Sequence, residues 1–307
     1  MARVVITGAT GTIGSALVAT LTAQGDQVVA LSRNPDKARQ KLGDGVEHHA
    51  WPQPKSSPPP APALTGADAV IHLLGEPLDK RWTEDVKREI EQSRVLGTRQ
   101  LVAGLTQLPQ ERRPAVLVSQ SATGYYGARG EEEVTEADGP GDDFLAGVVV
   151  AWEREAEQVP AGVRLVLTRT GVVLSPSGGA LGSMLPFFRL GLGGPVAGGR
   201  QYVPWIHLDD VVAGLIAAAR DSGLQGPLNL TAPEPVTNRE LTRALASTLH
   251  RPAIFPVPSL ALKALYGEMA MIVLTGQRAV PARLEALGYA FRRPELEPAL
   301  RDAVAGG

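Results

Sequence analysis

The sequence contains no cysteine. That removes a disulfide framework, a thiolate nucleophile and any cysteine metal site together. Charge of one sign is also missing: 30 basic residues stand against 32 acidic ones. The overall balance therefore offers no electrostatic footprint for nucleic acid or an anionic membrane, and the expected partner is a small-molecule substrate. No apolar run reaches the ~18 residues of a membrane span. Met1 leads into a strand-like stretch rather than a secretory leader, so a cytoplasmic protein is expected. The 307 residues suffice for one large domain, or a domain with an appendage, around an ample core.

What is present begins at once. Ala2 to Thr7 (ARVVIT) reads as a short buried strand, and Gly8-Ala9-Thr10-Gly11-Thr12-Ile13-Gly14 follows it directly. A strand that feeds a glycine turn and then a helix is a phosphate cradle. The first glycine allows the tight turn, the second admits a pyrophosphate close to backbone, and the third lets the helix lie close on the sheet. Free amides of the first helical turn then face the anion. Ile13, Ala16, Leu17, Thr20 and Leu21 form the stripe of a helix packed on a sheet. Gln27 to Leu31 supplies the second strand of one βαβ unit.

A further absence follows that strand. Dinucleotide folds that take the unphosphorylated ribose place an acid at its end, and none stands at Leu31, Ser32 or Arg33. Arg33 offers a guanidinium fork to a 2′-phosphate and Ser32 a hydroxyl, with Lys37 and Arg39 adding positive field. NADP(H) is expected over NAD(H).

Val46 to Trp51 fits a third strand, and the proline-rich Pro52 to Pro62 an extended loop. His48 and His49 are adjacent, so on a strand they point to opposite faces and do not form a metal pair. Ala67 to Leu74 is a fully buried parallel strand whose carboxyl end, at Leu73, Leu74 and Gly75, borders the ligand crevice. Thr83 to Leu105 is a long helix with Val86, Ile90, Leu96, Leu101 and Leu105 inward. The strand Ala115 to Ser119 empties into a cluster of hydroxyls, Ser121, Thr123, Tyr125 and Tyr126. A helix from Phe144 to Glu157 and a strand from Val163 to Arg169 come next. Glycines between Gly178 and Gly199 interrupt an amphipathic stretch, as in a mobile cap over a cleft. Tyr202 to Ile206 reads as a strand and Asp209 to Ala219 as a helix. Pro227 to Leu230, Asn238 to Leu249 capped by Thr237, Ser259 to Leu274 and Pro281 to Leu287 complete a mostly helical C-terminal portion.

TGATGTIG (Thr7 to Gly14), IHLLGE (Ile71 to Glu76), SQSATGYYG (Ser119 to Gly127), RTGVVL (Arg169 to Leu174) and WIHLDDVV (Trp205 to Val212) resemble the extended short-chain dehydrogenase/reductase superfamily, the NAD-dependent epimerase/dehydratase family. RWTEDVKREIEQSRVLGT, RLGLGGP and GQRAVPARLEALGYAFRRPEL resemble its epimerase-family branch with a C-terminal domain of unknown function. The resemblance implies an α/β fold, a Rossmann-type doubly wound parallel sheet with a smaller, mostly helical C-terminal lobe. The division expected is an NADP-binding domain over 1–175, with segments around 200–220 returning to it, and a substrate or cap lobe over 176–307. In this branch the dinucleotide resembles one held by Ser32 and Arg33, by Leu73 and Leu74, by Glu89 and Arg94 on the long helix, and by backbone at Val173. The spacing on that helix supports Arg94 more than Glu89.

One departure matters most. The superfamily uses Tyr-x-x-x-Lys on the helix after the SATGYYG loop, and aligned through Glu153 those positions hold Leu145 and Val149. Tyr125 and Arg129 imitate the spacing, but within the loop. Ser121 matches the superfamily's substrate-polarising serine. The leading expectation is an NADP(H)-dependent oxidoreductase or epimerase-like enzyme on a small polar substrate, with Ser121 and Tyr125 or Tyr126 as hydroxyl donors. The alternative is a non-catalytic NADP(H)-binding redox sensor or interaction protein.

Overall fold

In the structure, a computed structural model that describes residues 1–305, seven strands form one parallel sheet. They are β1 (Arg3–Thr7), β2 (Gln27–Ser32), β3 (Glu47–Ala50), β4 (Ala69–His72), β5 (Val116–Ala122), β6 (Arg164–Thr170) and β7 (Gly226–Leu230). Their spatial order is β7-β6-β5-β4-β1-β2-β3, and every neighbouring pair is parallel. The order reverses at the β1/β4 junction, where connections leave for opposite faces and open a crevice at the carboxyl ends. Thr7 pairs with both Leu31 and His72, so the ends of β1, β2 and β4 are level there.

The helices of eight residues or more are α1 (Thr12–Ala23), α2 (Pro35–Leu42), α3 (Glu84–Gln107), α4 (Phe144–Ala156), α5 (Gly179–Arg189), α6 (Leu208–Arg220), α7 (Asn238–Leu249), α8 (Ser259–Tyr266) and α9 (Leu296–Ala305). Local chemistry sets several of their starts. Asn34 accepts from Lys37 N at 3.0 Å ahead of Pro35, Asp143 accepts from Ala146 N at 2.9 Å, and Thr237 with Glu240 forms a capping box.

Successive strand residues point to opposite faces, which divides the core in two. Val4, Ile6, Val28, Ala30 and Ile71 meet Leu17 and Leu21 of α1 and Val211 and Leu215 of α6. Val5, Val29, Leu31, Val70 and Leu117 meet Leu101, Val102 and Leu105 of α3 on the other side. A separate cluster, with Leu181, Leu185, Phe188, Trp205, Leu241, Leu245 and Leu300, makes the core of the smaller lobe.

The segment returning to the sheet is longer than the 200–220 expected from sequence. Pro227 to Leu230, read with the helical C-terminal portion, belongs to β7 and pairs in register with β6 from Val166 to Thr170. Its proline is tolerated because β7 is an edge strand. The strand expected over Tyr202–Ile206 is two short ones, Tyr202–Val203 and Trp205–His207, which pair with Val236–Thr237 and Val172–Leu174. Among the described residues no helix is long and apolar enough to cross a membrane.

A buried polar chain fastens β1, β4, α3 and α4 together. The His72 imidazole lies between Thr7 Oγ1 at 2.7 Å and Thr98 Oγ1 at 3.0 Å, and Trp152 Nε1 donates to Thr98 Oγ1 at 2.8 Å. Burial lowers His72 from 6.5 to about 3, so the ring is neutral in the fold. The unfolded chain takes up this proton first. The stabilisation is therefore complete above pH 6.5 and is lost as pH falls toward 3, at about 1.4 kcal/mol per pH unit. The expected result is a fall in unfolding free energy between pH 6.5 and 4 that is about 3 kcal/mol smaller in a His72→Gln variant. Denaturant titrations across that window measure it, and equal slopes would remove His72 from this role.

Candidate functional site

The turn after β1 is shaped by two kinds of glycine. Gly8 has φ +65°, and a Cβ there would stand 2.5 Å from Leu73 O. A Cβ on Gly14 would stand 2.3 Å from Gly8 O. These two are bare because the protein's own backbone fills the space. Gly11 differs: its Cβ would meet only Gly8 O, at 3.3 Å, and its φ of −73° suits any residue. The protein itself makes less demand for a glycine there than at Gly8 or Gly14, since a shift of a few tenths of an ångström would relieve the contact, whereas a ligand against the backbone would add its own demand. Gly11 is also the N-cap of α1, which has no side-chain cap and no acid in its first turn. Amides of that turn are thus left for an anion. Thr12 touches the start of α5, since a Cβ on Gly178 would lie 2.8 Å from Thr12 Oγ1. Ile13 packs partly on the core.

At the end of β2, Ser32 Oγ accepts from Asn34 N and donates to Asn34 O, both at 3.1 Å, which fixes the turn. Arg33 is exposed and has no polar side-chain bond among the described residues. Across from it Lys41 Nζ donates to Thr10 O at 2.8 Å. Two cations therefore flank the glycine loop on its β2 side.

At the end of β4, the Leu73 carbonyl lies under Gly8, and Leu74 fits against Gly97 of α3. Gly75 lies against the Arg94 guanidinium, 3.1 Å from its Cβ position. Arg94 donates to Glu76 O and Ile90 O, each at 3.0 Å, and stands 5.4 Å from the Trp152 ring centre. Burial lowers it to about 10, a value at which it stays charged near neutrality. Glu89 is bound by Lys55 Nζ at 2.6 Å. Five residues apart, the two lie roughly 140° around the helix from one another, so Arg94 is the one aimed at the strand end. Val173 lies in the short strand Val172–Leu174, beside the α5 start that touches Thr12.

The hydroxyl cluster is arranged otherwise than its sequence suggests. Ser121 is fully buried and donates to Glu153 Oε1 at 2.5 Å. Tyr126 is fully buried and donates to Asn229 Oδ1 at 2.8 Å. Both were expected as donors to a substrate, and both are instead members of a closed internal network. At its centre Arg169 makes a bidentate pair with Glu153, at 2.9 Å to each oxygen, and donates to Tyr126 Oη at 3.1 Å. Burial alone would push the Arg169 guanidinium down, and the Glu153 bonds more than reverse it. Burial pushes the Tyr126 hydroxyl up to about 12 in spite of Arg169. Tyr125 is the remaining candidate. It is half-buried, its ring centre lies 3.4 Å from Arg169 Cζ, and its hydroxyl has no partner among the described residues.

Neither position of the missing dyad carries a proton-exchange group. Leu145 is half-buried and packs against the cluster of Trp82, Ile90 and Val148, and Val149 is buried. Sequence reasoning passed over Lys41 and the Arg169–Glu153 pair. The pair had a signal: an arginine inside the strand VRLVLTR has to find a buried acid. His207, Asp209 and Asp302 also converge, within 4.8 Å. His207 Nδ1 there accepts from Asp209 N at 3.2 Å, and Asp302 is engaged by Arg293 at 3.2 Å.

Residues 4–230 match the NAD dependent epimerase/dehydratase family, and residues 257–303 match a domain of unknown function, DUF1731. The chain belongs to the NAD-dependent epimerase/dehydratase family. It is 40% identical over 303 residues to the epimerase family protein SDR39U1 homolog, chloroplastic, of Arabidopsis thaliana, covering 96% of this chain and 85% of that one. It is 38% identical over 309 residues to the human epimerase family protein SDR39U1, covering 99% and 100%. A crystal structure of human SDR39U1 (isoform 2) with NADPH superposes with a TM-score of 0.89 at 36% identity, over 99% of this chain and all of that one. A UDP-glucose 4-epimerase of Thermus thermophilus, solved with NAD, shares the fold at 22% identity and a TM-score of 0.76, over 99% of each chain.

The network makes a stability prediction. Glu153→Gln leaves the Arg169 guanidinium buried without its counter-charge and is expected to cost about 3–5 kcal/mol in urea unfolding. Glu153→Leu combined with Arg169→Met is expected to recover most of that loss. A single substitution costing under about 1 kcal/mol would show that the pair is not the centre of this network.

Proposed function

We propose that the chain binds NADP(H) in the crevice at the carboxyl ends of β1, β2 and β4, and that it reduces a carbonyl group on a small polar substrate. The observation that carries the binding is the bare, uncapped start of α1 at Gly11, flanked by Arg33 and Lys41. The amides of Thr12 and Ile13 suit a pyrophosphate, the Gly11 amide being held by Gly8 O at 3.0 Å, and Ser32, Arg33 and Lys41 suit a 2′-phosphate. Leu73, Leu74, Gly75 and Arg94 line the next wall, and Val173 stands beside the start of α5. Glu89 takes its place on the outer side of α3 through Lys55.

A charge-assisted bond to a 2′-phosphate is worth about 1.5–3 kcal/mol, or roughly ten- to a hundredfold in affinity. Calorimetric titration should therefore show NADPH bound at least roughly tenfold more tightly than NADH. Arg33→Ala and Lys41→Met should each lower NADPH affinity and leave NADH affinity unchanged. A preference that survives both substitutions would contradict the assignment.

When bound, the reduced dinucleotide supplies a hydride to a carbonyl carbon. The Tyr125 hydroxyl donates a proton to the carbonyl oxygen as charge gathers there, and solvent reprotonates the phenolate afterwards. Arg169 holds the ring in place and adds little net charge, because Glu153 matches it. A phenol with no neighbouring ammonium to stabilise its phenolate is a poor base near neutrality, so the reverse oxidation should be slow.

A second reading is favoured by Leu145 and Val149, which put apolar side chains at the usual proton-exchange positions. In it the chain binds NADP(H) without turnover, as a redox sensor or interaction protein. Single-turnover measurements with NADPH and a panel of aldehydes and ketones separate the two. The catalytic reading expects reduction of some member and a loss of roughly a hundredfold in Tyr125→Phe. NADPH binding with no carbonyl reduced would select the sensor.

A further inference from the structure

The acids of this chain are unevenly placed. There is none between Glu157 and Asp209, and only Glu268 between Glu240 and Glu285. These two acid-poor stretches meet between residues 191–197 and 252–257. Val257 N donates to Pro195 O and Ala197 N to Val257 O, both at 3.0 Å, and Pro252 lies 3.5 Å from the Cβ position of Gly191. Where they meet, large apolar side chains point outward. Leu190 is 74% exposed, Ile254 73%, and Phe187, Leu192 and Phe255 each more than half. Leu260, 78% exposed, continues the surface onto α8, a helix with no buried residue. Arg189, Arg251 and Lys263 stand among them, exposed and without an ion-pair partner among the described residues.

This face is separate from the cofactor crevice. α5 starts against Thr12 and ends at Arg189, about 16 Å further along its axis at 1.5 Å per residue. Prolines at 252, 256 and 258 hold the backbone that carries Ile254 and Phe255, so little order has to be imposed on docking.

Charge decides the occupant. A second copy brought up by a two-fold axis would set these cations against their own images with no acid to receive them. An anionic bilayer meets both halves of the surface, with headgroup phosphates for the cations and the acyl boundary for leucine, isoleucine and phenylalanine. We propose that the tips around Leu190 and Phe255, together with α8, dock this protein on anionic lipid bilayers as a peripheral protein. The near-neutral balance of the whole chain conceals this local field.

Co-sedimentation of the full chain tests it. One arm uses vesicles of equal parts phosphatidylglycerol and phosphatidylcholine, the other phosphatidylcholine alone. Three basic side chains at the surface predict binding roughly a hundredfold stronger to the mixed vesicles at low salt, weakening as salt is added. The Ile254→Asp, Phe255→Asp double variant should lose it while keeping NADPH-induced thermal stabilisation, which shows an intact fold. Equal binding to both vesicle types, or none, overturns the proposal. So does a concentration-dependent dimer in sedimentation velocity that the double variant dissolves, since that assigns the face to a second copy.

Discussion

The contact on which the crevice depends is between backbones. Gly8 lies so close to the Leu73 carbonyl, and Gly14 to the Gly8 carbonyl, that a single added carbon at either would sit within 2.5 Å of an oxygen. These two approaches bring the exit of β1 against the exit of β4 and draw the first turn of α1 down onto the sheet. The level ends of β1, β2 and β4, the uncapped amides and the wall at Leu73 to Gly75 all follow from it. A methyl group at either glycine would push them apart.

The second half of the cleft has a different history written in its chemistry. The helix that carries proton-exchange groups elsewhere in the family carries Leu145 and Val149, and Leu145 packs against the apolar cluster of Trp82, Ile90 and Val148 that Met269 and Ile272 also adjoin. The polar residues behind it are fully paired. Ser121, Tyr126, Asn229, Glu153 and Arg169 form one buried network, joined to the C-terminal segment through Asn229 Nδ2 and Val280 O at 2.9 Å. Half-satisfied networks of this kind are costly, so its completeness fixes the strand ends in one arrangement. The same bonds occupy the Ser121 and Tyr126 hydroxyls, while the Tyr125 hydroxyl has no partner among the described residues.

The fold was legible from local patterns. Buried parallel strands are continuous apolar runs, and the glycine turn, the Asn34-Pro35 start and the Thr237/Glu240 box each announce themselves within a few residues. The glycine turn and the end of β2 were legible for the same reason, since each is contiguous in sequence. What escaped needed distance. Glu153 and Arg169 lie on different elements, and Lys41 reaches Thr10 across 31 positions. A serine and a tyrosine in a promising loop look alike whether they face a cleft or a buried carboxylate. β7 escaped because a four-residue run opening on proline carries little strand signal until an edge is available to it.

We infer that Gly11 is bare for a ligand, while Gly8 and Gly14 are bare for the fold. Differential scanning fluorimetry of Gly11→Val with and without NADPH tests it most directly. The expected result is a melting temperature without nucleotide close to that of the parent chain, and no upward shift when NADPH is added. A variant that NADPH still stabilises as fully as the parent would place the phosphates somewhere other than the start of α1 and would contradict the account.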